Sequence, residues 1–255
     1  MVLNLWHYLL IALGINILMF IPAFTFKTDK FTDLSYSLSF IIVAVVAWAL
    51  YPFSVANTVV MAMVVIWGLR LGTFLFVRIG KMKRDKRFDG IRESFGRFLR
   101  FWLLQGVSVW IIMIPALLFM KNSDPRPCYA GLAIWAVGLL LETIADAQKY
   151  RFKSERANKG KFIDKGLWKV SRHPNYFGEI LCWTGVYIFV FLSFSTVEKL
   201  IALAGPLYII LILLFLTGIP TVEKRADEKW GKDPAYREYK RRTSILIPWF
   251  RKKQV

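Results

Sequence analysis

Apolar residues in this chain are gathered into long runs, which short polar or basic segments separate. Most runs approach the roughly 20 residues that an α-helix needs to cross the hydrocarbon core of a bilayer. Seven such runs lie at residues 5–26, 36–51, 55–79, 98–120, 129–147, 177–194 and 200–219. The pattern predicts an all-α, polytopic membrane protein with about seven transmembrane helices in a single integral membrane domain, 1–255.

The first two runs have features of their own. No basic residue precedes the opening run, as one would in a secretory signal, so we expect it to be a retained span. The second run is short, and Pro52 lies between it and the third. These two runs are therefore predicted to form a tight helical hairpin.

Basic residues are concentrated in three segments that follow the third, fifth and seventh runs. Segments 81–100, 149–173 and 221–255 hold 28 of the 35 Lys and Arg residues, and their net charges of +5, +7 and +6 account for the whole +18. A seven-span topology places all three on one side of the membrane. Because basic loops stay in the cytoplasm, we expect the N-terminus outside and the C-terminus inside.

Composition limits the kinds of partner and site. Apolar residues make up 56% of the sequence, and basic loops bind anionic membrane lipids, so the charge requires no nucleic acid. The two cysteines, Cys128 and Cys182, lack metal-ligand spacing, and His7 and His173 are the two histidines. We therefore expect neither a disulfide nor a metal site.

Several ionisable residues fall inside apolar runs, where they are costly without a partner or a function. Arg70 lies in the third run, while Glu142 and Asp146 lie four residues apart on one face of the fifth. The predicted topology puts them in the inner half of the bilayer. We interpret them as part of a polar cavity that opens to the cytoplasm, with structural salt bridges as the alternative.

The densest polar group lies where a basic loop enters the sixth run. Within GLWKVSRHPNYFGEILCWTG, at 166–185, Pro174 suits the first position of a helix and Glu179 falls in its first turns. The other members of the group are Arg172, His173, Asn175 and Tyr176.

This segment carries a family resemblance. SRHPNYFGE resembles the signature of membrane reductases related to steroid 5-alpha-reductase and the sterol reductases, and the chain most resembles the bacterial DUF1295 branch. The isoprenylcysteine carboxyl methyltransferases share the RHPxYxG core. Asn175 and Glu179 are typical of the reductases and favour that reading. The tail resembles the closing motif of the superfamily at Glu223, Arg225, Trp230, Gly231, Tyr236, Tyr239, Pro248 and Trp249.

The resemblance implies an NADPH-dependent reductase that acts on a carbon–carbon double bond of a lipid-like or steroid-like substrate. It implies a bacterial inner-membrane protein whose site opens to the cytoplasm, with N-terminal spans in 1–120 and a cofactor-binding half in 121–255. The implied catalytic candidates are Arg70, Glu142 and Tyr176. The implied cofactor-binding residues are Asp146, Lys149, Lys153, Trp168, Arg172, His173, Asn175, Glu179, Arg225, Tyr236 and Tyr239.

One position departs from the steroid reductases. Their catalytic tyrosine lies three residues before an arginine, and that position here is Trp67, ahead of Arg70. An indole supplies no proton at neutral pH, so the usual proton donor is missing, and Gln105 and Asn57 are the polar candidates for its partner. Two alternative functions are a methyltransferase that uses S-adenosylmethionine and a non-enzymatic lipid-binding role.

Overall fold

The computed structural model describes residues 3–81 and 88–249. Their regular structure is helical, as the apolar pattern predicts. The α-helices are α1 (Leu5–Thr25), α2 (Lys30–Leu50), α3 (Val55–Lys81), α4 (Phe95–Lys121), α5 (Tyr129–Ser154), α6 (Pro174–Val190), α7 (Thr196–Ala202), α8 (Ala204–Leu211), α9 (Ile219–Trp230) and α10 (Pro234–Arg242).

Within residues 3–81 and 88–249, seven helical stretches are long and apolar enough to cross a membrane, which confirms the predicted number. Six of them correspond to α1 to α6, with the sixth extended to Ser193. The seventh, Thr196–Trp230, is made of α7, α8, a π-helical segment at Ile212–Leu216 and α9. We therefore describe the chain as a multi-pass membrane protein.

The second span is longer than predicted, because α2 begins at Lys30 rather than at residue 36. Its first turns are polar, so a hydropathy pattern does not mark them as part of a span. The hydroxyls of Thr32, Ser35 and Ser39 donate to the carbonyls of Asp29, Thr32 and Ser35, at 2.7 to 2.9 Å. These side chains thus satisfy their own polar groups within the helix.

The chain divides into two compact units, and each is built from two separate pieces of sequence. The first unit comprises Met1–Leu132 and Val186–Gly205, and the second comprises Ala133–Gly185 and Pro206–Val255.

Helices of the first unit approach one another closely at glycines. A Cβ atom on Gly72 of α3 would lie 2.7 Å from the Ser37 hydroxyl of α2. A Cβ atom on Gly106 of α4 would lie 3.0 to 3.3 Å from Ala12 and Leu13 of α1. Small residues commonly allow this packing between membrane helices, where no hydrophobic force favours association over lipid contact.

A buried amide network joins α1, α2 and α4 in the same unit. The Gln105 side-chain nitrogen lies 2.9 Å from the Asn16 Oδ1, 2.8 Å from the Ser35 hydroxyl and 2.9 Å from the Thr32 carbonyl. Asn16 is fully buried and donates to the Ser39 hydroxyl at 3.1 Å. Gln105, a candidate for proton chemistry by sequence, therefore lies in a network that links three helices.

In the second unit, α5 and α6 cross at a pair of glycines. A Cβ atom on Gly138 would lie 2.6 Å from the Gly178 carbonyl oxygen. A Cβ atom on Gly178 would lie 2.7 Å from both the Glu142 nitrogen and the Gly138 oxygen. The backbones are thus in contact at this crossing, which brings Glu142 beside the start of α6.

The residues after α10 return to the loop that precedes α6. Ser171 and Ser244 form a parallel bridge, in which the Arg172 nitrogen donates to the Ser244 carbonyl at 2.8 Å. The Ser171 hydroxyl donates to the Leu246 carbonyl at 2.6 Å, and the Trp249 nitrogen donates to the Val170 carbonyl at 3.2 Å. This pairing fixes the backbone from which Arg172 extends.

Candidate functional site

A cavity of about 260 Å³ lies within the second unit, among the end of α5, the loop that follows it, the start of α6, α9 and α10. Its lining combines basic side chains with aromatic rings. The basic residues are Lys149, Lys153, Lys161, Arg172, Arg225 and Lys229, and the aromatic residues are Phe152, Phe162, Trp168, Trp230, Tyr236 and Tyr239.

The buried indole ring of Trp168 forms one wall of the cavity. Its indole Nε1 donates to the Ala145 carbonyl at 2.9 Å, and the Lys149 ammonium lies 4.2 Å from its ring centroid. The turn that carries it begins at Gly166, whose positive φ of 59° suits glycine. The Gln148 side chain accepts from the Leu167 nitrogen at 2.9 Å. Both the ring and the turn are therefore fixed against α5.

The carboxylate of Glu223 contacts three donor groups. The His173 Nε2 lies 2.9 Å from Oε1, while Arg172 and Lys240 lie 3.4 and 3.2 Å from Oε2. Because the Glu223 side chain is only 16% exposed, these contacts are partly shielded from water. They connect the start of α6 with α9 and α10.

Burial lowers the pKa of His173 below its usual 6.5, and the nearby charges of Lys149 and Arg172 act in the same direction. The Glu223 carboxylate opposes this shift, but the net change is downward. At neutral pH the imidazole is therefore uncharged, and its Nε2–H donates to Glu223. The same ring stacks on Tyr176, with centroids 5.4 Å apart and an angle of 7° between the planes.

An aromatic cluster closes another side of the cavity. The Phe162 ring lies 5.2 and 5.4 Å from the rings of Tyr236 and Tyr239, measured between centroids. The Tyr239 hydroxyl donates to the Trp168 carbonyl at 2.7 Å, and burial raises its pKa, so it keeps its proton. Trp230 donates to the Gly160 carbonyl at 2.5 Å. These contacts hold the loop after α5 against α9 and α10.

Comparison with known proteins identifies the family of the chain. A family profile described as "Protein of unknown function (DUF1295)" matches residues 19–243. The chain belongs to the DUF1295 family. The match extends over most of both compact units and confirms the resemblance to DUF1295.

Individual relatives of this DUF1295 protein are distant or short matches. An uncharacterized protein of Schizosaccharomyces pombe is 23% identical over 215 residues, which cover 72% of this chain and 60% of the relative. A probable O-methyltransferase of Ustilaginoidea virens, ustE, is 44% identical over 46 residues, or 18% of this chain and 16% of that protein. The chain thus spans about 60% of the yeast relative's length. No solved structure matches it significantly.

Eight of the eleven predicted cofactor-binding residues line the cavity of this DUF1295 protein. They come from four separate parts of the sequence, which the fold brings together. These residues are Lys149, Lys153, Trp168, Arg172, His173, Arg225, Tyr236 and Tyr239.

The other predicted residues lie outside the cavity lining. Asp146 and Glu142 are buried on α5, and Asn175 and Glu179 are half-buried in the first turns of α6. Tyr176 contacts the cavity indirectly, through the ring of His173. In the first unit, the Arg70 guanidinium lies 5.7 Å from the centroid of the Phe74 ring.

The cavity also contains residues that the sequence reading did not assign to the site. Glu223 was recognised as part of the tail motif but not as a contact of Arg172 and His173. Lys161 and Phe162 belong to no motif in the sequence. Lys229 follows Arg225 by four residues, so the helical period of α9 would have placed it on the same face.

Proposed function

We propose that this DUF1295 protein is a membrane-embedded reductase that uses NADPH to reduce a carbon–carbon double bond in a lipid-like substrate. The observation that carries the proposal is the cavity lined by six basic and six aromatic residues. Phosphate groups are bound by Lys and Arg side chains, and planar rings stack on aromatic ones. A nicotinamide dinucleotide presents both kinds of group on one molecule.

The donor set fits such a ligand. Lys161 and Arg225 line the cavity, and neither side chain has a hydrogen bond or ion pair with another described residue. The Nε atom of Arg172 is buried and has no hydrogen-bond partner among the described residues. Buried donors without a partner are costly, so a bound phosphate oxygen would relieve a cost that the free protein carries.

When bound, NADPH supplies a hydride to one carbon of the double bond, and a proton completes the reduction at the other. We assign Lys149, Lys153, Arg172 and Arg225, which line the cavity, to its phosphates. The resemblance assigns Asn175 and Glu179, which lie outside the cavity lining, to the orientation of the nicotinamide amide. Glu142 and Tyr176 of the second unit are our candidates for polarising the substrate or holding the proton, and the role of Arg70, in the first unit, stays a prediction from the resemblance. His173, held by Glu223 at 2.9 Å, is a positioning residue for the loop that carries Arg172.

This proposal includes membership of the steroid 5-alpha-reductase-like superfamily, which the signature and tail motifs of the sequence resemble. It also places the N-terminus outside and the site open to the cytoplasm of a bacterial cell, where NADPH is available. The support for this orientation is the excess of Lys and Arg in the segments that build the cavity.

Thermal unfolding of the detergent-purified protein tests the cofactor. A ligand that binds only the folded state, at a hundred times its Kd, stabilises it by about 2.7 kcal/mol. We expect NADPH to raise the midpoint and Arg225→Gln to reduce that rise. Arg237→Gln is the matched control, because Arg237 is exposed on α10 and does not line the cavity. A wild-type protein that NADPH does not stabilise would contradict the proposal.

A methyltransferase that uses S-adenosylmethionine is the second candidate, and the 46-residue similarity to a probable O-methyltransferase favours it. The cavity charge opposes it, since S-adenosylmethionine carries a sulfonium ion and an ammonium group. Six basic residues and one carboxylate, Glu223, line this cavity. A rise in midpoint with S-adenosylmethionine but not with NADPH would reverse our preference.

A further inference from the structure

A second cavity, of about 270 Å³, lies beside the first in the same unit. It is formed by the last turns of α5 and by the loop up to Gly166. Phe152 and Ile163 line both cavities, so these two side chains separate them. An extended ligand seated in the first cavity therefore has a neighbouring cavity into which its other end can pass.

Two cations line the second cavity without a protein partner. Arg151 and Lys165 are exposed, and neither side chain forms a hydrogen bond or ion pair with another described residue. Lys240 of the same unit differs from them, because it contacts Glu223 and Asp227 at 3.2 and 2.7 Å. Arg151 and Lys165 thus remain available to an anion.

The other polar side chains of the second cavity form hydrogen bonds within α5 and the loop that follows it. The Gln148 Oε1 accepts from Leu167, and the Asn158 amide donates to the Phe152 carbonyl at 3.1 Å and to the Glu155 carboxylate at 2.7 Å. Glu155, the one acid in this lining, is therefore partly engaged by Asn158. The two free cations are the groups that distinguish a phosphorylated ligand from an unphosphorylated one.

The two cavities suit different ends of a dinucleotide. The first is lined by buried residues such as Trp168, His173 and Tyr239, and hydride transfer requires protection from water. The second is lined by half-buried and exposed residues in equal number and suits an end that takes no part in chemistry. Arginine near the adenosine ribose is a recognised way of accommodating a 2′-phosphate.

We propose that the second cavity binds the 2′-phosphoadenosine end of NADPH, with Arg151 and Lys165 on the 2′-phosphate. This inference rests on the proposed function, and it makes these two residues responsible for preferring NADPH over NADH. It assigns no chemical step to either residue, since both contact only the part of the cofactor that distinguishes the two nucleotides.

Calorimetric titration of the full-length protein in detergent tests this assignment with NADPH, NADH, adenosine 2′,5′-bisphosphate and AMP. The double variant Arg151→Gln/Lys165→Gln is expected to bind NADPH and the bisphosphate roughly tenfold more weakly per lost charge-assisted contact. Its affinity for NADH and AMP is expected to stay within about twofold of wild type, because those ligands lack the 2′-phosphate.

Arg156→Gln/Lys159→Gln is the matched control, since it removes two charges from the same loop outside both cavities. This control is expected to keep the preference for NADPH over NADH. That result would show that the loss in the double variant comes from a local contact and not from the lower overall charge. Three results would overturn the second-cavity proposal alone. The double variant could bind NADPH and NADH equally more weakly than wild type, or it could bind NADPH as tightly as wild type does. The control variant could also lose as much NADPH affinity as the double variant. Wild-type protein that binds neither dinucleotide would overturn the proposed function as well. Unchanged unfolding midpoints of the free variants establish that they fold.

Discussion

The imidazole Nε2 of His173 lies 2.9 Å from the Glu223 carboxylate, and this contact joins the loop before α6 to α9. His173 is buried, with an exposed fraction of only 3%. Arg172 and Lys240 approach the same carboxylate, so Glu223 neutralises charge from two other parts of the unit.

Replacement of Glu223 by glutamine should destabilise the protein. The change keeps the side-chain shape but removes the negative charge that Arg172 and Lys240 share, and hydrogen bonds to charged groups contribute about 1.5 to 3 kcal/mol. We expect a lower thermal midpoint in detergent and weaker NADPH binding. The control is Glu238→Gln, whose carboxylate pairs with Arg241 on the surface and should change stability by less than about 1 kcal/mol. Equal midpoints for the two variants would contradict this role.

Acid should destabilise the protein through His173. Its pKa in the folded state is lower than the unfolded value near 6.5, so the unfolded chain binds the proton more readily. Above pH 6.5 the histidine is uncharged in both states and does not affect the free energy of unfolding. As the pH falls below 6.5 towards the lower folded-state pKa, the unfolded chain takes up a proton that the folded protein does not, so folding stability falls. The groups that face it are Glu223, Arg172, Lys149 and the ring of Tyr176.

Thermal midpoints at about pH 7.5 and about pH 5.5 measure this effect, since histidine titrates between them. Replacement of His173 by asparagine should reduce the difference between the two midpoints. His7→Asn removes the other histidine and should keep the wild-type difference, because His7 lies near the N-terminus of α1, in the first unit. A difference that persists in the His173 variant would exclude this residue as its source.

The Gly178→Ala substitution should weaken the crossing of α5 and α6. The added Cβ atom would meet backbone atoms of Glu142 and Gly138 at 2.7 Å, and neither backbone can move aside easily. Overpacking of this kind typically costs about 1 to 3 kcal/mol. Gly14→Ala in α1 is a matched control, because nothing lies within 4 Å of its added Cβ. That variant should be neutral or gain up to about 1 kcal/mol. Equal midpoints for the two variants would contradict the close crossing.

Replacement of Gln105 by methionine should destabilise the first unit. The change leaves the Asn16 Oδ1 and the Thr32 carbonyl without the donor that now lies 2.9 Å from each. Hydrogen bonds between membrane helices contribute about 0.6 kcal/mol on average and up to about 2. We expect a lower midpoint with unchanged NADPH affinity per folded molecule. Loss of NADPH binding without loss of stability would instead assign Gln105 to the binding of the cofactor.

Much of the fold follows from the lengths of the apolar runs. A bilayer requires about 20 apolar residues per helix, so hydropathy predicted all seven spans. It missed the start of α2, where Thr32 and Ser35 are polar by type but satisfied by neighbouring carbonyls. A polarity pattern records the residue type and not whether its hydrogen bond is made within the helix.

The candidate site was predicted where residues are adjacent in sequence or belong to a motif. Arg172 and His173 lie in the signature, and both line the cavity. Lys161 and Phe162 lie in a loop without regular periodicity, and only the packing of Phe162 against Tyr236 and Tyr239 brings this loop to the cavity. Such contacts depend on tertiary structure and leave no pattern in the chain.

The pairing of Ser171 with Ser244 has a consequence for biosynthesis. A growing chain makes α5, which carries Lys149, and the loop that carries His173 well before it makes the residues that hold this loop in place. The cavity wall is thus completed only after Ser244, Leu246 and Trp249 have been synthesised and have returned to residues 170–172. A ribosome that stalls after α10, or a protease that cuts there, would leave every cavity-lining residue in the chain and still release Arg172 from its support.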